Sequence, residues 1–156
     1  MTKQPTEYDL RFRIWYGYWL EVMTETINRR IDISSNAVML ILGAGIFVNS
    51  DLSQLFGAIV AVISGIRVAC QHGKKAEAAR QQSKRYLSLI NEMHNLSVDE
   101  MISRVNMLEE FDSNALSSLF NPARNRAMIS LGKKKHHEKL SIKERMVSCL
   151  AGGVPR

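Results

Sequence analysis

The chain has 156 residues, of which 46% are hydrophobic and 23% charged, with 21 Lys and Arg against 15 Asp and Glu for a net charge of +6. That is enough for one domain with a modest core, and it excludes a disordered chain, a collagen-like repeat and a disulfide-dense mini-protein. Cys70 and Cys149 are too few and too far apart for a disulfide framework, and no CxxC pair suggests a zinc site.

The averages conceal two charge-free stretches, 18 residues between Asp32 and Asp51 and 15 more from Leu52 to Ile66. Residues 1–36 carry balanced charge, whereas the chain after Ile66 has 16 Lys and Arg against 9 Asp and Glu. A basic excess that starts directly after an apolar hairpin points to an anionic membrane surface before nucleic acid.

Taken in chain order, the polar N-terminus fits no cleavable signal peptide. Residues 1–32 are expected to form an amphipathic lead helix, because Phe12, Trp15, Tyr16, Trp19, Met23 and Ile27 recur at helical spacing. Trp and Tyr favour the boundary between lipid and water, so Trp15, Tyr16 and Trp19 are candidate membrane-interface residues. Ordinary packing against later helices is the alternative.

Residues 33–71 are expected to form a transmembrane helical hairpin. The runs ISSNAVMLILGAGIFVNS and LSQLFGAIVAVISGIRVAC approach the roughly 20 helical residues that cross about 30 Å of hydrocarbon. The second run reaches that length if Arg67 snorkels to the headgroups. A tight turn at Asn49, Ser50 and Asp51 makes the two helices antiparallel. Arg29 and Arg30 flank one end, Arg67, Lys74 and Lys75 the other, and the turn has neither Lys nor Arg. The positive-inside rule then puts both termini in the cytoplasm. Gly57, Ala61, Gly65 and Ala69 lie four apart and make a ridge on which helices pack closely, either against Gly43 and Gly45 or against another subunit. A soluble protein with this hairpin buried in its core is the competing reading, although soluble helices usually show a polar stripe.

Residues 72–132 read as cytoplasmic helices. Ala79, Ser83, Tyr86, Ile90 and Met93 mark one face of the first, and Ser97 with Glu100 forms a capping box that opens a second. Asn121-Pro122 is expected to start a third, closed by Gly132. Residues 133–156 combine a basic link (Lys133, Lys134, Lys135, His136, His137) with a short C-terminal helix opened by a second box, Ser141 and Glu144. The fold class is all-α: a two-helix transmembrane hairpin with an N-terminal amphipathic helix and a cytoplasmic helical bundle.

The sequence holds no GxxxxGK[ST] loop, Gly-x-Ser-x-Gly elbow or HExxH pair, and nothing assembles a nucleophile, a base and an orienting group. No catalytic residue, metal or cofactor is expected, and the protein is read as a non-enzyme. The lysines lack interleaved aromatics, so nucleic acid is not an expected partner.

The order of parts is familiar: an aromatic, Arg-bearing lead helix, two close apolar spans, His72, an Ala-rich helix with Tyr86-Leu-Ser-Leu89, a capping-box helix, then Asn121-Pro-Ala-Arg-Asn-Arg-Ala127 closing at Leu131-Gly132. Over residues 8–132 the chain resembles the SLATT group, the two-transmembrane effector domains associated with bacterial nucleotide-signalling and sensor genes. The resemblance implies a pore-forming effector of the bacterial inner membrane, acting as a homo-oligomer in conflict such as antiphage defence. It implies triggering by a separate sensor or nucleotide-signalling protein, and supplies no catalytic residues. A phage holin-like lysis protein and a soluble helical interaction module are the alternatives.

Overall fold

The computed structural model describes residues 5–48, 52–133 and 138–153. The expected turn at Asn49, Ser50 and Asp51, and four residues of the basic link (Lys134, Lys135, His136, His137), lie outside them. The described residues form six α-helices, with short 3-10 turns at Met93–Asn95 and Ser117–Leu119, and no strand.

The principal departure from expectation is α1 (Glu7–Val48), one 42-residue helix where a lead helix and a separate first span were expected. At 1.5 Å per residue it is about 63 Å long. No Pro or Gly lies between Gly17 and Gly43 to break it. The polar residues near the expected boundary turn inward on the helix itself: Thr26 donates to the Val22 carbonyl, Asn28 to that of Thr24 and Ser35 to that of Ile31, each at 2.8 Å.

Two helices run back along α1. α2 (Ser53–Cys70) packs on its C-terminal part, and α3 (His72–Glu92) on its N-terminal part. Their partners run in opposite order: Gly45 with Phe56, Met39 with Ser64, Asp32 with Arg67, Asn28 with His72. Both are therefore antiparallel to α1. They are separated by the single residue Gln71, whose φ of 49° and ψ of 42° are left-handed. Its N–H still closes α2 by donating to the Arg67 carbonyl at 2.9 Å. For a residue with a Cβ that conformation costs on the order of 1 kcal/mol.

The N-terminal half of α1 is the axis of a bundle. One core joins Leu10 and Ile14 to Tyr86, Leu89, Ile90 and Met93 of α3 and its trailing turn, and to Met101 and Val105 of α4 (Val98–Glu109). A second joins Met23 and Ile27 to Leu119, to Ala123 of α5 (Phe120–Ser130), and to Ala151 just beyond α6 (Ile142–Leu150). Both expected capping boxes are present, at Ser97 with Glu100 and at Ser141 with Glu144. The expected buried face of α3 is buried at all five positions. Asn121 does not cap α5, which begins one residue earlier. Its amide donates instead to Glu144 at 2.7 Å and ties α6 to the bundle. Gly132 ends the segment with φ 76°, the left-handed value that favours glycine.

Among the described glycines, Gly17 is the one most tightly covered by another side chain. A Cβ there would stand 2.7 Å from both Cε1 and the hydroxyl oxygen of Tyr86, a fully buried side chain. Alanine in place of a helical glycine ordinarily adds up to about 1 kcal/mol. Here the overpacking, about 1–3 kcal/mol, outweighs that gain. Gly17→Ala is expected to lower the unfolding temperature of the purified protein, and an unchanged or raised value would show that Tyr86 moves aside freely.

Candidate functional site in the apolar helix pair

From Ile33 onward α1 has no charged residue, and α2 has only Arg67. The apolar side chains of this region point outward. Phe47 is 91% exposed, Leu40 76% and Val68 75%, and the most apolar 18-residue window of each helix has no buried residue. Both helices are long and apolar enough to cross a membrane by length and composition. α2 has 18 residues and is about 27 Å long, close to the roughly 30 Å of a hydrocarbon layer.

The faces turned toward each other are narrow. The Phe56 ring fills the space beside Gly45, where a Cβ would lie 2.9 Å away, and the Ser64 hydroxyl donates to the Met39 sulfur at 3.3 Å. The predicted ridge is on another side of α2. Ala61, Gly65 and Ala69 are exposed, Gly57 is half-buried, and nothing lies within 4 Å of a Cβ built at either glycine. Gly43 likewise has nothing beside it. The ridge therefore does not pack within the pair, because Phe56 occupies the one glycine of α1 that α2 touches.

A polar belt separates this pair from the bundle. Arg67 is ion-paired with Asp32 across the helices at 3.2 Å, with its Nε buried and unpartnered. His72 Nδ1 and Asn28 Oδ1 are 2.8 Å apart. Since Asn28 already donates from Nδ2, the histidine is the donor. Arg29 pairs with Glu25 at 2.7 Å, and Arg30 donates to the carbonyl of Leu150 at the end of α6. Lys74 and Lys75 are exposed.

The aromatics expected at a membrane interface make contacts within the bundle. Trp19 is 13 residues before Asp32, about 20 Å along α1. It donates from its indole to Ser130 at 2.8 Å, with the Arg126 guanidinium 5.2 Å over its ring. Trp15 packs against the first core and Tyr16 against the second. These three are bundle residues, because α1 is enclosed there by α3, α4 and α5 and binds them on several faces.

Sequence reasoning missed a buried acidic cluster inside the bundle. Glu21 is 1% exposed and accepts from the Ser113 backbone N–H at 2.6 Å, while its second oxygen and the buried Thr24 hydroxyl have no partner. Asp112 accepts from the Tyr86 hydroxyl at 2.9 Å and from Gln82 at 3.0 Å. Burial raises the Glu21 carboxyl to about 7, with the Asp112 charge adding to the effect. Burial likewise raises Asp112 and Tyr86 above their ordinary values. A charged residue on a small and apolar face of a helix was the available signal: Glu21 lies four residues after Gly17, seven after Ile14 and eleven after Leu10, all on one face. Among the described residues no three His, Cys, Asp or Glu side chains gather as metal ligands.

Comparison with known protein families, curated proteins and solved structures gives no match for this chain.

Folded Glu21 titrates near 7 and its unfolded counterpart near 4.5, so the folded state holds the extra proton between those values. Its contribution to stability is complete below about pH 4.5 and is lost as pH rises through 7, a change of up to about 3 kcal/mol. Glu21→Gln is expected to raise the unfolding temperature at pH 7.5 and to match the parent protein near pH 4.5. Parallel pH profiles for the two proteins would remove Glu21 as the source.

Proposed function

We propose that this protein is a bacterial membrane effector of the SLATT type. In this reading the C-terminal part of α1 and all of α2 form a transmembrane hairpin in the inner membrane, and the bundle is cytoplasmic with both termini. Copies assemble through the ridge of Gly57, Ala61, Gly65 and Ala69 and permeabilise the membrane. A separate sensor or nucleotide-signalling protein provides the trigger, in antiphage defence or related conflict.

The carrying observation is the exposure of two apolar helices beside a bundle that buries its own core normally. A soluble interaction module would have to leave both apolar helices in water, whereas soluble monomers rarely expose contiguous apolar patches larger than a few hundred square ångströms. The outward ridge supports self-assembly, since close contact through small residues is available only to another helix from outside the pair. The polar belt at Asp32, Arg67, Asn28 and His72 suits the headgroup level, with its partners paired to one another.

The test is expression in bacteria with a C-terminal tag, reading carbonate extraction and membrane potential together. The expected protein resists extraction and depolarises cells when the trigger is present. Ala61→Leu is expected to remain in the membrane and lose at least tenfold in depolarisation. Recovery in the soluble fraction would overturn the hairpin. Full depolarisation by Ala61→Leu, with oligomer size unchanged, would remove the ridge.

A further inference from the structure

The last helix carries a surface that the bundle does not use. On α6, at about 100° per residue, Ile142, Met146, Cys149 and Leu150 fall in one arc of about 100°. Ile142 is 80% and Met146 64% exposed, and Cys149 and Leu150 are exposed too. The opposite side anchors the helix: Val147 packs against the second core, Ser148 is buried, and Ala151 just beyond is a core residue. Lys143 and Arg145 border the apolar arc, one on each side.

Two further observations say what this face meets. First, charge: Lys139, Lys143 and Arg145 form no ion pair with a described residue, whereas Glu138 pairs with Arg124 and Glu144 is taken by Ser141 and Asn121. The unneutralised charge around the apolar arc is therefore positive. Second, position: Leu150 shares a groove with Ile27, Arg30, Ile31, Ser34 and Ser35, and Ile31 and Ile33 are the first exposed large apolar side chains of α1. Arg30 holds that end of α6 through the Cys149 and Leu150 carbonyls, at 3.3 and 2.9 Å. The apolar face of α6 thus adjoins the start of the apolar surface of α1.

We propose that α6 is an interfacial helix that lies against an anionic bilayer leaflet, with Ile142, Met146, Cys149 and Leu150 among the upper acyl chains and Lys143 and Arg145 on lipid phosphates. This assignment rests on the membrane reading of α1 and α2. It gives the bundle a second attachment and fixes which side of it faces the lipid.

The test uses the full-length protein carrying Cys70→Ser, labelled at Cys149 with an environment-sensitive fluorophore and reconstituted in vesicles with brominated acyl chains. One set is phosphatidylcholine, the other phosphatidylcholine with 30% phosphatidylglycerol. A companion protein carries Cys70→Ser, Cys149→Ser and Val62→Cys, with the label in the middle of α2. The expected result is a blue-shifted Cys149 label quenched by bromine, at least twofold more in the anionic vesicles, with Met146→Glu abolishing the quenching at Cys149. Quenching at Val62→Cys without quenching at Cys149 would overturn the α6 assignment and leave the membrane reading standing. No quenching at either would overturn both. A Cys149 label shielded from aqueous iodide but not quenched by bromine would mean that protein, a second copy or another partner, covers the face. Equal quenching in the two lipid sets would overturn the preference for an anionic leaflet.

Discussion

Every other element takes its position from the unbroken backbone of α1. A helix satisfies its own peptide groups along its length, so it can pass from a packed bundle to an exposed apolar region without a connection that must be hydrogen-bonded anew. α2 and α3 then need only follow its surface, and the left-handed Gln71 suffices to pass from one to the other. The bundle closes around the first half of α1 because Gly17 lets Tyr86 reach its backbone, and Tyr86 in turn brings Asp112 and the end of α4 into place.

The two halves of the molecule differ in how they treat polar groups. In the bundle polar side chains are drawn inside: Glu21, Thr24, Gln82, Ser83 and Asn125 are all buried, and Asn125 is satisfied through both ends of its amide by Glu138. In the apolar pair the side chains outside are hydrophobic, and polar atoms gather at its edge in the Asp32–Arg67 and Asn28–His72 contacts. The molecule thus inverts its pattern within about one helical turn of Ile31.

Much of this was legible in the sequence. Charge-free runs, capping boxes and the Ala79-to-Met93 face report local chemistry, and each sits where its spacing puts it. The aromatics of α1 were harder to read. A helix enclosed on several faces has no single apolar stripe, so Leu10 and Ile14 are fully buried while Trp15, Tyr16 and Trp19 fill its flanks. Composition alone suits these rings equally to a lipid boundary and to a core. The small-residue ridge was visible, but its direction was not: which side of α2 meets α1 depends on Phe56 seating against Gly45, a contact that spacing within one helix does not encode. Glu21 and Asp112 meet across 91 residues of chain, beyond the reach of any local pattern.

The absence of a break in α1 also has a mechanical meaning. A stiff helix shared by two bodies would act as a lever if the bundle tilted about the polar belt near Asp32. The 15 residues from Ile33 to Phe47 make an arm of about 23 Å. Tilting the bundle end by about 10° would sweep the far tip of that arm through about 4 Å, nearly half the ordinary spacing between packed helices. A small tilt of the bundle would thus be a much larger displacement beyond Leu40 than beside Asp32.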